Sequence, residues 1–220
     1  MQGALRARYR IFVHPVAALR GALYHWTSEL SDLYYRIDTR KDGQEKPRGD
    51  YAAYDPVEPK YLRWAFRELR RVADFRDFTF VDFGSGKGRA LAWAAAHGFR
   101  EVVGVEMAEP LHLAAVANLG KMRMAKCQAA ASVCMDAREF TLPARQSVLF
   151  FYNPFRGAIM EKVLSNIEDS LRANPRAMFL VYLNPVMHES FMQRQGMKLI
   201  RVGDWCNLYT WEHRALAAAS

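Results

Sequence analysis

The stretch Phe80-Val81-Asp82-Phe83-Gly84-Ser85-Gly86-Lys87-Gly88-Arg89 decides the fold. It continues a short apolar run from Phe78 that stops at glycines. The helical pattern of Ala90 to His97 follows and stops in turn at Gly98. A strand that passes through a glycine turn into a helix is the opening unit of an open α/β sheet, and that turn is where such sheets bind ligands. Glycines at 84, 86 and 88 remove the Cβ atoms that would hold a ligand away from the backbone.

Spacing narrows the ligand. A dinucleotide fingerprint, GxGxxG, needs glycine where Arg89 stands, and a P-loop needs Ser or Thr after its GK, where this chain has Gly88 after Lys87. What remains is GxGxG behind an acid, Asp82. A second acid, Glu106, ends the next strand-like run (Glu101 to Glu106), at about the 20-residue distance where an acid meets ribose hydroxyls in Rossmann-like folds. A carboxylate accepts two hydrogen bonds from a ribose diol. S-adenosylmethionine has a sulfonium cation, an ammonium group and no phosphate, so an acid-rich mouth suits it better than a pyrophosphate.

Outward from this loop the pattern alternates. Pro59 to Val72 precedes it as an amphipathic helix, and Leu111 to Leu119 follows Glu106 as another. Ala131 to Met135, Ser147 to Tyr152 and Ala177 to Leu183 read as strands, with a helix carrying Ile159, Met160, Val163, Leu164, Ile167 and Leu171 on one face. Such alternation predicts a mostly parallel sheet covered by helices on both sides. Met197 to Val202 and Asn207 to Glu212, joined by a turn with Gly203 and Asp204, predict an antiparallel C-terminal hairpin.

The polar segment Asp38 to Pro56 reads as a loop or linker between an N-terminal basic helical appendage with its linker, residues 1–50, and the main domain, residues 51–220. Met1 to Trp26 carries Arg6, Arg8, Arg10 and Arg20 among apolar residues. Pro15 and Arg20 break the apolar run that a signal peptide needs. A helix packed on the domain is the preferred reading of that segment, and a surface-lying membrane helix the other.

The chain has 220 residues, 51% hydrophobic and 25% charged, the composition of one globular domain with an appendage. No apolar run reaches the length of a membrane span. Cys127, Cys134 and Cys206 form no CxxC pair, which points away from a disulfide framework or zinc site and toward a reducing, cytoplasmic setting. His97, His112 and His188 share no metal-like spacing, so no metal is expected. The net charge of +8 favours acidic partners, yet its Lys and Arg residues are dispersed.

FVDFGSGKGR, the GVE ending at Glu106 and the terminal hairpin together resemble the class I, seven-strand S-adenosylmethionine-dependent methyltransferases over roughly Tyr51 to His213. The resemblance implies a three-layer Rossmann-like α/β fold with a seven-stranded sheet, and S-adenosylmethionine as cofactor. It implies cofactor contacts from Asp82, Gly84, Ser85, Gly86 and Gly88, from Glu106 with Met107, and from Asp136 with Ala137 near the adenine. A helix N-cap before Phe140 is the alternative role for Asp136.

Phe151-Tyr152-Asn153-Pro154-Phe155 is similar to the Asn/Asp-Pro-Pro-aromatic motif of methyltransferases acting on planar amino groups, without the second proline, and the wider pattern is comparable to lysine methyltransferases of the Dot1-like type. Asn153 and Tyr152 are therefore the candidate catalytic residues, with Asn153 also beside the cofactor, and Tyr54, Pro154 and Phe155 are candidate substrate contacts. The competing reading is that Asn153-Pro154 merely ends a buried strand; Asn184-Pro185 repeats the pattern one strand later, as a strand terminator or, in the other reading, as a further lining of the same mouth. Tyr51, Tyr54 and Asp55 stand where related enzymes place a lid, or else pack as an ordinary loop. The function expected is methyl transfer to an amino group of a protein lysine or a small molecule, with RNA also open as acceptor. The alternative is a catalytically inactive cofactor-binding module that docks through its basic N-terminal segment.

Overall fold

The computed structural model describes residues 26–41 and 49–212. Five parallel strands, β1 (Thr79–Phe83), β2 (Glu101–Glu106), β3 (Ala129–Cys134), β4 (Ser147–Tyr152) and β5 (Met178–Leu183), form most of one seven-stranded sheet. The antiparallel pair β6 (Met197–Val202) and β7 (Cys206–Trp211) completes it in the order β3-β2-β1-β4-β5-β7-β6. The strand order reverses between β1 and β4, so the carboxyl ends of these two strands border the crevice where open α/β sheets take ligands.

Helices cover both faces. On one side, α1 (helical over residues 26–35), α2 (Pro59–Leu69) and α3 (Arg89–His97) bury Tyr35, Leu62, Phe66, Leu91 and Trp93 against the sheet. On the other, α5 (Gly157–Ala173) buries all six apolar residues that its sequence places on one face, and the short α6 (His188–Met192) adds Phe191. Helix α4 (Glu109–Lys121) packs on β2 and β3. It begins two residues before the apolar pattern does, because Glu109 and Pro110 suit a first helical turn.

Against the sequence reading, α2 ends at Leu69 rather than Val72, β3 begins earlier, and one short helix goes unread. β3 starts at Ala129 rather than Ala131: it is an edge strand of small, half-exposed residues, which carry little hydrophobic signal. α6 has only five residues, too few for periodicity to show. The Met1 to Trp26 segment lies, except for Trp26, outside the described residues, and among those residues no helix is long and apolar enough to cross a membrane.

The described parts of the Asp38 to Pro56 segment are loop, as read, but they are pinned. Tyr51 forms a bridge with Phe155, Ala52 N–H donates to the Pro154 carbonyl at 3.0 Å, and Arg156 N–H donates to the Asp50 carbonyl at 2.9 Å. Residues 50–52 lie across the carboxyl end of β4 as a strap.

Candidate functional site

The glycine loop leaves β1 with left-handed backbone at Gly84 and Gly86, φ 78° and 53°. A Cβ on Gly84 would lie 2.5 Å from Pro154 Cβ, and one on Gly86 would lie 2.4 Å from the Tyr54 ring. The two motifs named separately in the sequence, the glycine loop and the Asn153-Pro154 corner, thus touch, with the strap tyrosine on top.

Four of the loop's backbone donors are already in use. Gly84 and Ser85 N–H donate to the Val105 carbonyl at 2.9 and 3.2 Å, Gly86 N–H to Glu106 Oε2 at 2.9 Å, and Gly88 N–H to the Ser85 carbonyl at 2.9 Å. A phosphate cradle presents such groups to its anion; this loop turns them onto the protein. Glu106 Oε1 also accepts from Ala108 N–H at 2.8 Å. A carboxylate has about four acceptor positions, so the two hydrogen bonds leave capacity for a diol.

Asp82 is buried one strand away from Glu106. Burial, reinforced by the negative charge of Glu106, raises its pKa well above the carboxylate range. Burial also raises Glu106, opposed by its backbone hydrogen bonds. Two carboxylates disfavoured as anions in one mouth form a site that gains from a cationic ligand.

At the end of β4, Asn153 takes a left-handed conformation, φ 42°, and is buried. Its Oδ1 accepts no hydrogen bond among the described residues, and Ser85 Oγ is likewise buried without a partner. Buried polar atoms are ordinarily satisfied; of the three such atoms among the described residues, Thr79 Oγ1 lies at the other end of β1 and these two lie at the mouth. The Tyr152 hydroxyl donates to Asp55 Oδ2 at 3.0 Å, and Lys41 Nζ lies 2.7 Å from the same carboxylate.

A cavity of about 1080 Å³ unites these groups. Asp82, Gly84, Ser85, Gly86, Glu106, Met107, Ala137, Tyr152, Asn153, Pro154, Phe155 and Tyr54 all line it. Tyr51, Asp55 and Asn184 do so too, while Gly88 and Asp136 do not. Gly88 caps α3. Asp136 accepts from Arg138 N–H as the cap of a 3₁₀ turn, is paired with the Arg138 guanidinium, and accepts the Tyr51 hydroxyl at 2.9 Å. Those hydrogen bonds, chiefly the one from the Arg138 side chain, hold its carboxyl down to about 2. The histidines serve packing: His97 stacks on Trp93, and His112 and His188 bond Ser132 and Tyr209.

Other lining residues escape sequence reasoning. Trp205, stacked on Tyr61 with ring centroids 5.6 Å apart, reaches the mouth from the β6–β7 turn. Lys87 Nζ donates to the Arg40 carbonyl at 2.7 Å and lies over the Tyr54 ring, whose hydroxyl donates to the Thr39 carbonyl. Arg89 is buried and pairs with Asp32 of α1 through two hydrogen bonds, 2.9 and 3.1 Å, while Nη1 donates to Ser28 and to the Val57 carbonyl. The residues on either side of Gly88 therefore fasten the segment at 26–41 to the site; nothing local in the sequence announces contacts across 47 to 57 residues.

No protein-family profile matches the chain, and no curated protein matches it. Solved structures do. An Escherichia coli protein, yhhF, assigned as a methyltransferase, superimposes with TM-score 0.53 at 18% identity over 77% of this chain and 99% of its own. A Pyrococcus horikoshii protein assigned as an RNA methyltransferase gives 0.54 at 14%, over 84% and 97%. A Haemophilus influenzae protein assigned as a methylase gives 0.50 at 16%, over 76% and 97%. At such identities the likeness shows the shared fold, the seven-stranded Rossmann-like sheet with an antiparallel end.

Proposed function

We propose that the chain is an S-adenosylmethionine-dependent methyltransferase whose acceptor is an amino group, of a protein lysine or of a small molecule. One observation carries the reading: a glycine loop that spends its N–H groups internally faces two carboxylates, with the unpartnered Asn153 Oδ1 in the same cavity. Phosphate ligands want free N–H groups and cations; this mouth offers carboxylates and a free amide oxygen. The methyltransferase assignments of the structures sharing the fold point the same way.

In this reading Glu106 holds the ribose diol, Asp82 and the Gly84–Gly86 turn face the charged methionine end, and Met107 and Ala137 flank the adenine. The cofactor supplies an electrophilic methyl group on a cationic sulfur, and the protein's part is positioning and exclusion of water. An acceptor amine, with a pKa of about 10.4 in water when it is a lysine, must be neutral to attack. Asn153 Oδ1 accepts a hydrogen bond from that amine and aims its lone pair at the cofactor. Tyr152 is kept in place by Asp55, and Phe155, buried below Asn153, fixes the corner.

Calorimetric titration with S-adenosylmethionine and its demethylated product, with NAD as control, tests the cofactor. Micromolar binding of the first two and none of NAD is the expected result; NAD binding alone would sink the assignment. Transfer of a labelled methyl group from the cofactor to primary amines in cell extract, lost in Asn153→Ala with cofactor binding retained, tests the acceptor class. Labelling of RNA in place of amines would refute that part.

A further inference from the structure

Among the described residues, Trp205 is the exposed aromatic side chain of the cavity's lining: Tyr61 covers one face of its indole, yet 43% of the residue stays open to solvent. The turn that carries it is fixed. The Trp205 carbonyl accepts the Asn184 N–H at 2.9 Å, the Gly203 N–H donates to the Cys206 carbonyl at 2.7 Å, and a Cβ on Gly203 would lie 2.7 Å from the Trp64 ring. The indole is thus held at the mouth by its backbone and by α2, with its own apolar surface left unburied. An aromatic face kept open on a rigid support is suited to a ligand.

The groups beside it say which ligand. Tyr152 pairs with Leu183 in the sheet, so the corners at Asn153 and Asn184 are neighbours, and the Tyr152 hydroxyl reaches Asp55. With Asp82 and Glu106 given to the cofactor, Asp55 is the charged lining residue on this side. The lining cations, Lys87 and Arg89, are buried and turned away, onto the Arg40 carbonyl and Asp32. Lys41 pairs with Asp55, but the two side chains are 52 and 49% exposed, and an exposed pair of that kind is weak enough for an incoming cation to replace.

A phosphate-bearing acceptor would meet a carboxylate here and cations whose donors are engaged elsewhere. A neutral aromatic amine would stack on the indole and make no use of Asp55. An alkylamine, protonated at neutral pH with a pKa of about 10.4, uses every group: its charge suits the indole face and the carboxylate, and its methylenes lie along the ring. Once neutral, its nitrogen meets Asn153 Oδ1, which has no partner among the described residues. We propose that Trp205 and Asp55 form the entrance for an acceptor that is a primary ammonium on an alkyl stem, a protein lysine or a free polyamine, a proposal that rests on the methyltransferase reading of the cavity.

The test uses the full chain, labelled S-adenosylmethionine and cell extract divided by dialysis into macromolecular and small-molecule fractions. Products are hydrolysed and separated on a cation exchanger. Label is expected in a methylated alkylamine; recovery from the macromolecular fraction makes the source a protein lysine, and from the dialysable fraction a polyamine. In Trp205→Ala the amount of extract fraction needed for half-maximal rate should rise about tenfold, with the maximal rate within about twofold and Trp205→Phe restoring most of the loss. Cofactor affinity by calorimetry and the thermal melt stay at wild-type values, since the side chain replaced is exposed. Label in RNA or in a product that is not an alkylamine would overturn the proposal, as would a Trp205→Ala rate unchanged at every dilution or a loss that Trp205→Phe does not restore. A wild type that binds the cofactor but labels no amine refutes the acceptor alone; one that binds no cofactor brings down the methyltransferase reading, and the entrance with it.

Discussion

Both sides of the mouth pass through left-handed backbone, but with different residues. After β1 the left-handed positions are Gly84, Gly86 and Gly88; after β4 and β5 they are Asn153 and Asn184, φ 42° and 49°, each followed by proline. Asparagine is among the few side chains that visit this region readily. On the β1 side it would not fit, since Pro154 and Tyr54 occupy the places a Cβ would take. On the β4 side there is room, and what fills it is an amide whose oxygen has no partner among the described residues. Glycine is used where the backbone itself must be approached, asparagine where the turn must also bring a functional group.

The largest expected effect breaks the glycine side. Gly86→Ala drives a Cβ into the Tyr54 ring and strains a left-handed position, costing about 2–3 kcal/mol of stability. It also displaces the Gly86 N–H from Glu106, so cofactor binding is lost in calorimetry while far-ultraviolet circular dichroism still reports a folded chain. Wild-type affinity in this variant would mean that the loop is not where the cofactor sits.

The asparagine side separates more sharply, because backbone and side chain can be tested independently. Asn153→Gly keeps the turn and removes only the amide. Cofactor affinity is then expected within about threefold of wild type, and turnover about a hundredfold lower, the scale seen for loss of one well-placed polar group in an active site. If Asn153→Gly turns over normally while Asn153→Ala does not, the residue serves the turn alone, and the strand-end reading wins.

Between the two sides lies the carboxylate pair, which is tested through pH. The folded-state pKa of Asp82 is raised, so its contribution to stability is full below the ordinary carboxylate pKa and is lost as pH rises through the higher folded value. The melting temperature of Asp82→Asn minus that of wild type should therefore grow as pH rises from the ordinary carboxylate range toward and past neutrality. His97, whose pKa burial lowers, acts with opposite sign in part of that window but is common to both proteins and cancels. S-adenosylmethionine should bind wild type more tightly as pH rises over the same range, and Asp82→Asn should show a shallower rise, the part that Glu106 contributes. A flat difference curve would mean that the two acids are not the electrostatic heart of the mouth.

What the sequence disclosed follows from distance along the chain. Strand, loop and helix around Gly84 lie within one stretch, and their pattern alone located the turn and both acids. The Asn153 corner was legible only through its resemblance to the Asn/Asp-Pro-Pro-aromatic motif, since a polar residue at the end of an apolar strand reads equally well as a strand terminator. The opposed cases are contacts made by sheet order: Tyr51 reaches Asp136 across 85 residues, Arg89 reaches Asp32 across 57, and Trp205 enters from the far hairpin. Periodicity marked the 38–56 segment as polar loop, yet it could not show that the loop is bound at Pro154 and Lys87 and closes one side of the cavity.

That strap yields the smallest prediction. Tyr51 joins it to the strand side through one hydrogen bond to Asp136, a carboxylate that Arg138 also holds. Tyr51→Phe removes the hydroxyl and keeps the ring against Phe155, so the loss is that of a single hydrogen bond, about 1 kcal/mol in urea denaturation near neutral pH. Asp136 has a folded pKa of about 2, so its hydrogen bonds stabilise the fold above the ordinary carboxylate pKa, and that stability is lost as pH falls toward 2. The difference between Tyr51→Phe and wild type should shrink accordingly below about pH 4. If it persists there, the phenol is held by its ring packing, and the hydrogen bond contributes nothing to fastening the strap.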